Sequence, residues 1–163
     1  MTKSKAAAVE LLKAKKVPFE ALYHKTAFTA VDEAATLHVP QADVLKTVVL
    51  DTGTGHVIAV IAASSKLDMA LVREALADKH AHLAGETETA RDFPAFELGS
   101  MAPLPSLTKV PVFVDPEIMK HEVVIFAVDQ GESVRVKTED LFSGEYVTVT
   151  PLVRHFSDVP TDH

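Results

Sequence analysis

The chain has 163 residues, 47% hydrophobic and 24% charged, which suits one domain over residues 1–163 that needs no covalent staple. It carries 23 acidic against 16 basic residues, a net charge of −7, which excludes a grip on long stretches of phosphate backbone and leaves room only for a small, local nucleic-acid contact. The absence of cysteine excludes disulfides, thiolate catalysis and zinc–thiolate sites and fits a cytoplasmic location, and no apolar run approaches the ~20 residues of a membrane span.

The first residues, Met1-Thr2-Lys3-Ser4-Lys5, lead into an amphipathic stretch and not into the apolar core of a signal peptide. Ala7, Ala8, Leu11 and Leu12 recur at helical spacing among lysines, which predicts a helix over 4–16, ended by Pro18. Alternation over 19–23 reads as a strand. Thr29 followed by Asp32 resembles a capping box and starts a helix running through Ala34, Ala35 and Leu37 to about His38. Two β-rich runs, 44–50 and 56–63, flank the turn Asp51-Thr52-Gly53-Thr54-Gly55 and predict a hairpin. The second run is almost wholly apolar, as a strand buried on both faces would be. Asp68 is placed to cap a helix over 69–77, and a short helix covers 86–92. A loop rich in proline, 99–105, precedes strands over 110–115, 123–128 and 133–136, the last two joined by Asp129-Gln130-Gly131. Thr138 starts a short helix ending near Phe142, and the tail after Ser157 reads as polar and loose. Consecutive strands with helices between some of them predict an α+β domain: a mixed, mostly antiparallel sheet, curled towards a barrel, with surrounding helices. Regular βαβ alternation is missing, which argues against a doubly wound fold.

The usual chemical signatures are absent: no G-x-S-x-G, no phosphate-binding glycine loop, no H-E-x-x-H. His80 and His82 would share one face of a strand, but no third ligand accompanies them, so no metal and no cofactor is expected. His155 and His163 read as exposed. His24 reads as a hydrogen-bonded histidine at a strand end or as a proton shuttle.

Two features stand out. Lys46 lies inside an apolar strand and by alternation shares a face with Val44 and Val48. Such a lysine either guards a sheet edge or reaches into a cleft to hold a phosphate or carboxylate. In Gly99-Ser100-Met101-Ala102-Pro103-Leu104-Pro105, glycine permits close backbone approach and the prolines stiffen the run. That segment is either a surface connection or a rigid set of amide donors for a developing oxyanion.

Taken in order, His24, Thr29-Ala30, Glu33-Ala34-Ala35, Leu37-His38-Val39, Lys46-Thr47-Val48-Val49, Leu67-Asp68, Leu83-Ala84, the Gly99-x-x-x-Pro103 loop and Pro111-Val112-Phe113-Val114-Asp115 resemble the YbaK/ProX-type family, related to the editing domain of prolyl-tRNA synthetases. The likeness spans roughly residues 7 to 153. It implies a mixed α/β domain with a curled sheet and no metal, acting as a trans-editing hydrolase of mischarged aminoacyl-tRNA esters. The implied partners are the acceptor end of the tRNA and an aminoacyl-tRNA synthetase, with no membrane. By resemblance Lys46 lies near the terminal phosphate, and the loop Gly99, Ser100, Met101, Ala102 and Pro103 holds the aminoacyl carbonyl. His24, Thr29, Thr47, Asp68 and Ser133 lie along the substrate, and a ribose hydroxyl of the substrate assists the attacking water. The chain departs from the family pattern at Pro105 and Lys109, where relatives often carry glycine, at Ser64-Ser65-Lys66 before Leu67-Asp68, at Leu22 and at Ser133. Two other readings stay open: a module that binds an aminoacyl end or nucleotide without hydrolysis, and an interaction subunit in which Lys46 only guards an edge.

Overall fold

The computed structural model describes residues 2–154; His155, His163 and the polar tail lie outside the described residues. Helix α1 (Lys3–Ala14) is capped by Thr2, whose hydroxyl accepts from Lys5 N–H at 3.3 Å, and it buries Ala8 and Leu12. Lys16 takes a left-handed φ of 58°, and the chain turns into β1 (Phe19–Tyr23). Helix α2 (Ala30–Leu37) is capped by Thr29, as its spacing predicts, and ended by left-handed His38. A 3-10 turn (Gln41–Asp43) leads to β2 (Leu45–Thr52), paired with β3 (Gly55–Ala62) from Leu45–Ala62 through to Thr52–Gly55. The hairpin is the one the sequence predicts.

Asp68 caps α3 (Met69–Leu76) by accepting from Ala70 and Leu71 N–H, again as expected. There follow β4 (His82–Leu83), α4 (Glu86–Asp92), α5 (Pro105–Thr108), β5 (Val112–Val114), α6 (Pro116–Met119), β6 (Val123–Asp129), β7 (Glu132–Lys137), α7 (Thr138–Phe142) and β8 (Val147–Val149). Two sequence departures are absorbed in α5. Pro105 sits in its first turn, where no intrahelical N–H is needed, and Lys109 closes it at a left-handed φ of 63°, the conformation glycine takes most cheaply.

The strands form a three-stranded antiparallel sheet, β1-β7-β6, and a five-stranded sheet, β4-β2-β3-β5-β8. In the second, β2 pairs antiparallel with β3 and β4, whereas β3–β5 and β5–β8 are parallel. The α+β class with mixed, mostly antiparallel pairing is as expected. In place of one sheet curled towards a barrel, two sheets meet at a single parallel bridge, Val44–Ile125, and no closed barrel forms among the described residues.

The main core joins α1 (Ala8, Leu12), one face of β2 and β3 (Leu45, Val49, Ile58, Val60) and the inner face of β6 and β7 (Val124, Phe126, Val134, Val136). The opposite face of β3 (Val57, Ala59, Ile61) packs on Val72 of α3 and on Leu152 and Val153. Burial on both faces is why β3 reads as an unbroken apolar run: each aliphatic side chain removed from water there contributes roughly 1.5–3 kcal/mol. No helix among the described residues is long and apolar enough to cross a membrane.

Candidate active site at the open edge of β2

Strand β4 pairs only with Leu50 and Asp51 of β2, and Ala84 N–H donates to Val49 O at 3.0 Å. Between this pairing and the Val44–Ile125 bridge to β6, β2 has no strand on its outer side. A cavity of about 350 Å³ runs along that edge, in the size range of small-molecule sites. It is lined by Lys46, Thr47, Val48 and Val49 of β2, by Phe28, Thr29 and Ala30, and by Gly99 and Met101 of the proline-rich loop. Leu83, Ala84, Glu86, Thr89, Ala90 and the segment Phe96–Leu98 complete the wall.

Strand geometry decides what β2 presents. Residues paired through their backbone to β3 alternate with residues whose N–H and C=O face outward. Val49 bonds outward and Val44 O accepts from Ala63 N–H on the β3 side, so the backbone of Thr47 faces the cavity edge. Side chains alternate the other way. Thr47 leaves the sheet on the main-core side, where its hydroxyl donates to Met101 O at 3.0 Å and ties the loop to the strand. Lys46 leaves on the opposite face, yet both line the cavity, because the cavity follows the edge and not one face. Lys46 is half-buried and its backbone pairs with Ile61 of β3, but its ammonium makes no hydrogen bond or ion pair with any described residue.

Of the five loop residues named from the sequence, Gly99 and Met101 line the cavity, while Ser100, Ala102 and Pro103 are buried. Gly99 has φ +87°, and a Cβ there would lie 2.5 Å from the carbonyl oxygen of Phe28. Glycine is required at this position on both counts. Ser100 is occupied: its N–H and its hydroxyl both donate to Glu97 O at 3.0 Å. Among the described residues the N–H groups of Gly99, Met101 and Ala102 donate to no protein acceptor, and of these residues Gly99 and Met101 line the cavity.

The remaining sequence candidates fall into three places. Thr29 lines the cavity, though its hydroxyl already accepts from Asp32 N–H at 3.0 Å. Asp68 does not line it; its carboxylate caps α3 and pairs with Arg154 at 3.1 Å. His24 and Ser133 form a separate chain with Glu33, a residue whose role sequence spacing left unread. His24 Nε2 lies 2.9 Å from Ser133 Oγ, which lies 2.5 Å from Glu33 Oε2. Glu33 is 2% exposed, and burial pushes its carboxyl up to about 7 against the opposing effect of the Ser133 hydrogen bond. Its sequence signal is an acid on the inner face of α2, three residues after Ala30 and four before Leu37.

Folding therefore favours the protonated form of Glu33. The contribution of this group to stability is complete below about 4.5, declines as pH rises, and is lost above about 7. Glu33→Gln keeps the shape without the charge. It should match wild type in denaturant unfolding near pH 4 and exceed it by roughly 3 kcal/mol near pH 8. Equal differences at both pH values would contradict this.

Helix α4, which supplies Glu86, Thr89 and Ala90 to the wall, buries no residue of its own and is held by charge. His56 at the start of β3 lies 2.8 Å from Asp92 and 2.6 Å from Asp51, and Arg91 braces Asp92 at 2.8 Å. The Asp92 hydrogen bond, with Asp51 and Glu88 nearby, holds the His56 imidazolium above its ordinary range. His82 reaches Asp51 at 3.3 Å, and its Nδ1 lies 3.1 Å from the carbonyl oxygen of His80, so the histidine pair near β4 serves local structure.

A family model of the aminoacyl-tRNA editing domain matches residues 24–143, a span that begins just after β1 and takes in the cavity lining and α7. None of the curated proteins matches the chain. A crystal structure described as "a putative trans-editing enzyme for prolyl tRNA synthetase" superposes with a TM-score of 0.80 at 15% identity, covering 95% of this chain and 99% of that one. The crystal structure of "hypothetical protein APE2540" superposes equally well, at 0.80 and 18% identity over 91% and 99%. Likeness at such identities speaks for the fold alone. The match to the domain model covers most of the chain, and on it the chain belongs to the aminoacyl-tRNA editing domain family.

Proposed function

We propose that the protein is a trans-editing deacylase that hydrolyses the ester of mischarged aminoacyl-tRNA. The observation that carries this reading is the shared cavity: an unpartnered lysine on β2 and a stiff loop with free amides line one groove at an open strand edge. Lys46 neutralises the terminal phosphate. The N–H groups of Gly99 and Met101 hold the aminoacyl carbonyl oxygen as it becomes an oxyanion. Water attacks the carbonyl carbon, the bond to the ribose oxygen breaks, and the proton given up by water ends on that oxygen, leaving free amino acid and tRNA. No lining residue forms a nucleophile–base pair, which fits a water assisted by the ribose hydroxyl of the substrate. The short reach of the cavity and the charge of −7 fit contact with the acceptor end only, in the cytoplasm and beside a synthetase that supplies the rest of the tRNA affinity.

Pro105 and Lys109, the departures that would favour a binding module, lie outside the cavity lining. Preformed alanyl-, cysteinyl-, seryl- and prolyl-tRNAs decide the matter. At least one should lose its amino acid at a rate proportional to enzyme. If all stay intact at high enzyme while a non-hydrolysable aminoacyl-adenosine mimic binds, the protein is a binding module and the deacylase reading is wrong.

A further inference from the structure

Glu33, Ser133 and His24 come from α2, β7 and the end of β1, and their protons can be counted. Ser133 is fully buried, and His24 Nδ1 lies 2.7 Å from the carbonyl oxygen of Lys25, which can only accept. The Ser133 hydroxyl has one proton for two bonds. If Glu33 is protonated, it donates to Ser133, Ser133 donates to His24 Nε2, and a neutral ring with its proton on Nδ1 still holds Lys25. If Glu33 is ionised, Ser133 must donate to it, so Nε2 must carry a proton as well. The ring is then a cation, or it stays neutral and one of the three bonds breaks.

The far end of this chain meets the cavity wall. Lys25 begins the segment that carries Phe28 and Thr29 into the lining. The turn between β6 and β7 links the two regions: Gly131 O accepts from His24 N–H at 3.1 Å, Gln130 O accepts from Ala27 N–H at 2.9 Å, and the Gln130 side chain donates to Leu98 O at 3.2 Å.

We infer that Glu33 is a positioning residue for this wall: its proton, read through Ser133 and His24, decides whether the Lys25 carbonyl is held, and so sets the seat of residues 25–29. This holds whatever ligand fills the cavity. The burial that lifts Glu33 to about 7 puts the change near neutrality. Little else facing the chain competes. The cluster that α2 packs on is apolar: Leu22, Leu37, Val39, Val44 and Ile125. Glu132, next to Ser133, turns to the other face of the strand and is engaged by Lys5 at 2.5 Å. Arg135, two residues on and on the Ser133 face, pairs with Glu20 at 3.1 Å, and Asp32 beside Glu33 is exposed.

The test is an NMR titration of the free protein between about pH 5 and 9, reading the Glu33 side-chain carboxyl ¹³C and the backbone amides of residues 25–29. In wild type, carboxyl and amides should change together near neutrality. In Glu33→Gln that step of the amides should vanish, and in Ser133→Ala the amides should no longer follow the carboxyl. A wild type without the joint step overturns the inference, as does a step that survives unchanged in Glu33→Gln. Should Glu33→Gln fail to fold, Ser133→Ala decides alone, and coupling that persists there is equally fatal. No outcome depends on deacylation.

Discussion

Gly99→Ala is expected to lower stability by about 3 kcal/mol and to remove most deacylation activity. Two independent penalties meet at this residue. A φ of +87° strains any side chain, and the new methyl would lie 2.5 Å from the carbonyl oxygen and 2.7 Å from the carbonyl carbon of Phe28. The obstacle is backbone, so it cannot swing aside as a flexible side chain would; the loop and the 25–29 segment must separate. Both are walls of the cavity, and Met101 is tied to Thr47 in the same region. A displacement of even about 1 Å there spoils the placing of amide donors, which costs about a hundredfold in rate. Gly55→Ala is the control. Its φ is +128°, yet nothing lies within 4 Å of the added carbon, so it carries strain without collision and lies away from the cavity lining. Thermal unfolding and deacylation of the two variants separate the terms. If Gly99→Ala loses no more than Gly55→Ala, the close approach to Phe28 contributes nothing.

The elements legible in the sequence were those with local causes. The β2–β3 hairpin follows from two β-rich runs around a glycine turn, α4 was bounded correctly, and Thr29 and Asp68 cap the helices they precede. Elements with non-local causes escaped. Strands β4 and β8, of two and three residues, exist only because β2 and β5 offer them a ladder, and the parallel pairs β3–β5 and β5–β8 join segments with no turn between them to read. The division into two sheets rests on one bridge, Val44–Ile125, between residues far apart in the chain. The site shows the same split. Lys46 and Gly99 are visible as a cation in an apolar strand and a glycine in a proline-rich loop. That they share a cavity depends on how short β4 is, which no local pattern reveals. Asp68, placed along the substrate by resemblance, has a local cause as a cap and serves there. Glu33 was in plain sight on the inner face of α2, but its partner stands 100 residues away.

Lys46→Met should leave the fold intact and lower deacylation kcat/KM by about two to three orders of magnitude. Methionine keeps the apolar stem that lies along the strand and removes only the charge. Because the Lys46 ammonium makes no hydrogen bond or ion pair with a described residue, no native partner is stranded by the change, and circular dichroism and Tm should hold. The loss should carry an electrostatic signature. If the ammonium meets one phosphate, the log–log dependence of kcat/KM on salt should become shallower in the variant by about 0.7–0.9. Lys46→Arg should recover part of the activity, since charge is retained but the planar fork replaces a compact ammonium. The edge-guard reading makes the opposite forecast. The outer side of β2 is uncovered between the Val44–Ile125 bridge and Leu50, so a lysine there would also deter strand pairing between molecules. In that case Lys46→Met would deacylate like wild type and differ only in a greater tendency to associate, visible by light scattering. A normal rate with normal salt dependence would remove the phosphate contact from the mechanism, and with it the reason for a cation at this edge to face the same groove as the loop.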